Sequence, residues 1–337
     1  MIRRSLPLPG KDTMTIQLPA GFTARPAQPD DLNAIVALMN AVTTVTGGKP
    51  DFTLEAERRY WDAGDVQLGT DTLLIHSSDG QLMGSAQFIE ETPPTPCDVD
   101  SWVHPACQEP LIGEALLKWI DQRAAQALAR APQHLSVTLD HIYVYTGDRA
   151  ARQRLEAAGY RSERVFRRMT IDLNTPPPAP RLPDGITIRS FRRGAEERPV
   201  YEAWEEAQAD EWGHESIPYD KWLYYFIDAE PDFDPEAWFL AVEGETIVGY
   251  ALCRWDRAGE PKSSTVRYLA VRRPWRRRGI ALALLHAAFG AMYRRGKRGA
   301  GLGVDATSLT GADRLYERAG MHMAFETLRY QKVVRGA

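Results

Sequence analysis

The stretch NTPPPAPRLPDG, residues 174–185, holds five prolines and rules out both helix and central strand. Proline fixes its own φ, lacks an N–H and disfavours helix in the residue before it, so the segment reads as a stiff extended connector. It divides the 337 residues into two halves of similar length. That division matters because the halves repeat one order of elements. FTARPA and then NAIVALMNAV open the first half, and ITIRSF and then RPVYEAWEEAQ open the second. Each continues with a hairpin, TLLIHSSDGQLMGSAQFIE or AWFLAVEGETIVGYALCRW, whose SDGQ and EGET turns lie between alternating apolar residues. A strand ending at Val103 or Val271 follows, then a loop and a long helix, ALLKWIDQRAAQAL or ALALLHAAFGAMY. In the latter, Leu285, Phe289 and Met292 share a face. Each half closes on a short helix, LEAAGY or YERAGM, and a last pair of strands. The repeat spacing is 168 residues at Val103/Val271 and 161 at Gly159/Gly320, a slip that loop variation accommodates.

Composition excludes several classes. The net charge of −4 argues against a general polyanion binder, so no nucleic-acid partner is expected. The 3 cysteines form no CxxC pair, and the 7 histidines are scattered without metal-ligand spacing, so no metal is expected and a reducing cytoplasm fits. No apolar run is long enough to span a bilayer, and no membrane partner is expected. No GxSxG elbow supports a serine hydrolase.

Against that acidic background, RRPWRRRGIA at 272–281 is a local concentration of arginine that ends on a glycine and an apolar helix. A helix starting beside Gly279 presents backbone N–H groups with no intrahelical partner, a ready site for a diphosphate, and glycine admits the anion close to the backbone. Arg276, Gly279 and Ala281 match the Q/R-x-x-G-x-G/A motif that ends a central strand and opens a helix in the GCN5-related N-acetyltransferase (GNAT) family. LYERAGM, about 40 residues later, resembles that family's closing helix. The second half therefore resembles a GNAT domain, and the first half a worn second copy, in a tandem layout similar to that of mycothiol synthases.

The resemblance implies an α/β (α+β) fold: two tandem GNAT folds, each a mixed, mostly antiparallel sheet flanked by helices, with a splayed strand pair at the coenzyme A (CoA) site. The expected boundaries are a loose tail at 1–18, a degenerate GNAT-like domain at 19–173, the linker at 174–184 and a catalytic domain at 185–335. The implied cosubstrate is acetyl-CoA, held by Leu269, Ala270 and Val271 on the splayed strand and by Arg276, Arg277, Arg278, Gly279, Ile280 and Ala281 at the helix start. Arg272 or Arg273 is expected to reach the ribose phosphate. Ser308 stands where the family often has an asparagine, and its shorter reach weakens that contact.

Acetyl transfer from a thioester to an amine needs a neutral amine, a polarised carbonyl and a proton for the departing thiolate. Tyr316 occupies the family position for the last role. For the amine, AQADEWGHES at 207–216 places Asp210, Glu211, His214 and Glu215 beside Trp204, Trp212, Tyr219, Trp222, Tyr224 and Tyr225. Carboxylates among aromatics suit a cationic amine, and Glu211 is the expected base or amine anchor. A solvated acidic helix face over packed aromatics is the competing account.

In the first half, Leu111 replaces the motif glycine, Pro110 precedes it, and Leu155 stands where the second half has Tyr316. This copy is expected to do no transfer chemistry. The function implied is acetyl transfer to the primary amine of a small molecule by a monomer or homodimer. The alternatives are a non-catalytic acyl-CoA-binding module and a protein-lysine acetyltransferase.

Overall fold

The computed structural model describes residues 4–7, 15–62, 66–90, 96–211, 214, 216–230, 233–256, 260–307 and 312–336. In chain order the first elements are β1 (Arg4–Pro7), β2 (Thr15–Leu18), β3 (Thr23–Arg25), α1 (Leu32–Gly47), α2 (Leu54–Asp62), α3 (Leu68–Asp71), β4 (Thr72–His76), β5 (Leu82–Glu90), β6 (Cys97–Val103), α4 (Leu111–Arg130), β7 (Val137–Tyr145), α5 (Arg149–Ala157) and β8 (Arg161–Asp172). Beyond the proline-rich connector come β9 (Ile186–Ser190), α6 (Glu197–Gln208), α7 (Tyr219–Leu223), β10 (Trp238–Glu243), β11 (Thr246–Arg254), β12 (Ser263–Val271), α8 (Ile280–Arg294), β13 (Gly299–Asp305), α9 (Ala312–Arg318) and β14 (His322–Arg335). The repeat read from the sequence is thus a repeat of folded elements.

Two compact units result, Met1–Phe166 with Phe325–Ala337, and Arg167–Ala324. The division differs from the expected one in two ways. It falls inside β8 rather than at the prolines, so β8 from Arg167 onward belongs to the second unit, beside β13. The end of the chain goes the other way: β14 from Phe325 pairs antiparallel with β7 and completes the first unit. The reason is burial, since Leu328 and Tyr330 sit in the first unit's core and the Tyr330 hydroxyl donates to Glu156 at 2.7 Å. The expected tail at 1–18 is also partly structured: β2 pairs with β1, and Ile16 and Leu18 are buried in the first unit's core.

Within each unit the strands pair mostly antiparallel, and β6–β7 and β12–β13 pair parallel. A parallel pair needs a long crossover, and α4 and α8 supply it. In α8 the apolar positions Ile280, Leu284, Leu285, Ala288, Phe289 and Met292 recur at helical spacing and are all buried. That stripe docks α8 on β10, β11 and β12 and fixes where its N-terminus points.

Candidate active site

The β12–β13 pair is joined only at Ser263–Thr265 against Gly299–Gly301. Beyond this the strands run on without pairing, β12 to Val271 and β13 to Asp305. The gap opens into a cavity of about 760 Å³ within the second unit. Leu269, Ala270 and Val271 line one wall and Gly303, Val304 and Asp305 the other.

At one end of the cavity lies the turn into α8. Gly279 has φ 84°, a left-handed conformation that costs an L side chain about 1–2 kcal/mol. Arg277, at φ 62°, is the only non-glycine residue with positive φ among the described residues. These two reversals feed a helix whose backbone N–H groups from Arg277 through Leu282 have no acceptor among the described residues, the first closed bond being Ala283 N–H to Gly279 C=O at 3.1 Å. Residues 277, 279, 280, 281 and 282 all line the cavity. A concave row of unpartnered donors at the positive end of a 15-residue helix fits a diphosphate, so the residues present fit CoA.

The arginines divide into different roles. Arg276 lines the cavity, donating through Nε to the Val271 carbonyl at 2.9 Å and pairing with Asp210 at 2.7 Å. Arg272 is held by Glu206 at 2.5 Å and the Ile247 carbonyl at 3.1 Å, and Arg273 is held by Asp210. Acidic side chains at and just past the end of α6 thus engage both arginines expected at the ribose phosphate. Arg278 turns toward Glu243 at 3.6 Å and is not among the lining residues. Ser308 lies outside the described residues.

Tyr316 projects from α9 into the same cavity and is 8% exposed. Burial, reinforced by the Glu211 and Asp313 carboxylates, pushes its hydroxyl up to about 12, so it stays protonated at neutral pH. Glu211 lines the cavity just past α6. Partial withdrawal from water, with the nearby Asp305 and Asp210 carboxylates, holds its carboxyl above the usual range. Asp210 is driven the opposite way, far below it, by the hydrogen bonds from Arg273 and Arg276. Of two adjacent carboxylates, one is paired with arginines and the other lines the cavity with a raised pKa.

The aromatic acceptor wall read from the sequence forms only in part. Trp204 and Trp222 are core residues, edge-on and stacked on Phe226 respectively, and Tyr224 and Tyr225 are 57% and 52% exposed. His214 packs edge-on to Trp204 with Glu205 at 3.5 Å, and Trp212 and Glu215 lie outside the described residues. The aromatic rings on the cavity are those of Tyr268, Trp275 and Tyr316. Arg267, Tyr268 and Asp305 were not singled out in the sequence, although their position beside the splayed strand ends was a usable signal.

In the first unit β6 and β7 pair at Cys97–Val99 against Leu139–His141 and then part in the same way. The place is filled rather than open. Ser101 Oγ lies 2.9 Å from His141 Nε2, a buried histidine. Arg154 of α5 lies over the first turn of α4, where a Cβ on Gly113 would meet its Nε at 2.4 Å. Glu109 accepts from the Leu111 N–H at 3.3 Å.

Among the described residues no group of three or more His, Cys, Asp or Glu is placed to hold a metal ion, and no helix is long and apolar enough to cross a membrane.

Comparison with known proteins agrees with this geometry. The family model "Acetyltransferase (GNAT) family" matches residues 198–321. The mycothiol acetyltransferase of Salinispora arenicola is 30% identical over 77% of this chain and 81% of its own length. A crystal structure of a GCN5-related N-acetyltransferase from Sphaerobacter thermophilus is 37% identical, with a TM-score of 0.84 over 95% of this chain and 98% of that one. A tandem GNAT protein from the clavulanic acid biosynthesis pathway has the same fold at 15% identity, with a TM-score of 0.67 over 94% of this chain and 99% of its own.

Proposed function

Given that this chain belongs to the GNAT family and is an N-acetyltransferase, we propose that its second unit transfers the acetyl group of acetyl-CoA to the primary amine of a small molecule, by direct attack in a ternary complex. The observation that carries this reading is the row of unpartnered N–H groups from Arg277 to Leu282 opening into the same cavity as Tyr316 and Glu211. The name of the relatives, mycothiol acetyltransferase, supports a small-molecule acceptor.

In this reading the α8 N-terminus binds the diphosphate and the β12 end, Leu269 to Val271, lies along the thioester arm. The amine nitrogen attacks the thioester carbonyl, the C–N bond forms, the C–S bond breaks, and the electron pair leaves on sulfur. Glu211 accepts a proton from the amine, directly or through water, and its raised pKa suits that role. Tyr316 donates to the departing sulfur. Full transfer from a phenol near 12 to a thiolate near 8–9 is uphill by itself, so the hydroxyl acts first as a hydrogen-bond donor to developing charge. The first unit takes no part in the chemistry, because Arg154 and Glu109 occupy the place where the second unit offers open donors.

The test is release of free thiol from acetyl-CoA in the presence of a panel of amines, with Tyr316→Phe alongside. Turnover by the native protein, lowered about 10²–10⁴-fold in kcat by Y316F at unchanged acetyl-CoA affinity, is expected. Acetyl-CoA binding without turnover of any amine would favour the non-catalytic alternative.

A further inference from the structure

The cavity has a cationic contact that acetyl transfer itself does not require. In the β11–β12 ladder Leu252 pairs with Tyr268 and Cys253 with Val266, so Arg267 is the extra residue of a bulge. A bulge re-aims a side chain, and here the guanidinium lies over the rings of Phe226 at 5.4 Å and Tyr268 at 5.9 Å while lining the cavity. Among the described residues its one carboxylate partner is Glu230, 3.2 Å from a single terminal nitrogen, and Glu230 is shared with Arg254. The other donors of Arg267 meet no acceptor among the described residues. Its side chain is 30% exposed, which leaves those donors accessible at the cavity, and partial burial lowers its pKa.

The diphosphate-binding end is not what this cation serves. Arg267 is four residues before Val271, roughly 13 Å along an extended strand at about 3.3 Å per residue, and α8 begins only after the further turn at 272–279. The cavity wall near Glu211 and Asp305 is acidic and suits an ammonium; the wall at Arg267 suits an oxyanion. We infer that the acceptor amine also carries an anionic oxygen group, a carboxylate or a phosphate, which Arg267 holds with its unengaged donors while the amine faces the thioester. This rests on the acetyltransferase reading above and narrows its substrate class.

The experiment measures kcat/KM of the full chain with acetyl-CoA for matched amines: leucine against leucinamide, phenylalanine against phenethylamine, and O-phosphoethanolamine against ethanolamine. The expected result is at least a tenfold preference for the anionic member in one pair or more. Which pair shows it separates carboxylate from phosphate. Arg267→Gln should abolish that preference through KM for the amine, Arg267→Lys should keep part of it, and KM for acetyl-CoA should not move. If both members of every pair react alike, if the uncharged members are preferred, or if the preference survives in R267Q, the inference is overturned and acetyl transfer still stands. If acetyl-CoA binds but none of these amines nor any other in a wider panel reacts, the acetyltransferase reading fails and this inference falls with it.

Discussion

The N-terminus of α8 and that of α4 are the same element in two copies of one fold, and different things stand in front of them. Before α8 the chain turns through Arg277 and Gly279 in left-handed conformations and leaves N–H groups open to a cavity. Before α4 the residue is Pro110, the Leu111 N–H is taken by Glu109, and the Arg154 guanidinium lies against Gly113. At α4 internal side chains, Glu109 on the first N–H and Arg154 against the first turn, stand where the other unit has open donors. The comparison teaches that a sheet and its crossover helix can persist after the site is lost, because the buried stripes of α4 and α8 hold the helices in place whatever lies at their ends.

The sharpest way to break the contrast is Gly279→Leu. Open space surrounds a Cβ at this position, so packing does not forbid the side chain; the positive φ costs about 1–2 kcal/mol, and the side chain obstructs the anion's approach. Titration calorimetry should show acetyl-CoA affinity falling at least 100-fold, with a thermal shift no larger than that strain implies. Unchanged affinity in G279L would remove the helix start from the binding account.

Glu211→Gln should have a smaller effect, a loss of about 10–100-fold in kcat/KM, at or below the low end of the roughly 10²–10⁴-fold that a positioned base contributes. Its pH dependence is the more telling readout. The Glu211 carboxyl titrates above the ordinary carboxylate range, so native activity should rise with pH as it ionises, and Tyr316, protonated to about 12, should impose no falling limb near pH 8–9. In E211Q the low-pH limb assigned to this carboxyl should disappear and leave only the ionisation of the amine. A pH profile identical to the native one would assign the base elsewhere.

How much of this was legible in the sequence depends on the range of the interaction. The hairpins, the α8 stripe and the turn at Gly279 rest on local spacing and backbone preference, and the residues concerned adopt what those preferences dictate. Long-range partners were not legible. The ion pairs of Arg272 with Glu206 and of Arg273 with Asp210 join residues more than 60 positions apart, and local spacing left open whether Trp204 and Trp222 line a cleft or pack in the core, where they lie. The bulge at Arg267 depends on register with β11, which no single strand encodes. The destination of β14 is set by where Leu328 and Tyr330 find an apolar surface, and chain order carries no information on that choice.

The smallest expected effect tests the first unit most directly. Leu111→Gly restores the glycine at the turn that the sequence comparison marks as decisive, and if the missing glycine were the whole cause of the loss, a second acetyl-CoA site should appear in the titration. We expect none, with stoichiometry staying at one per chain, because Pro110 still lacks an N–H and Arg154 still covers the first turn of α4. A second binding event in L111G would mean that one apolar side chain, and not the substituted cation, had closed the site.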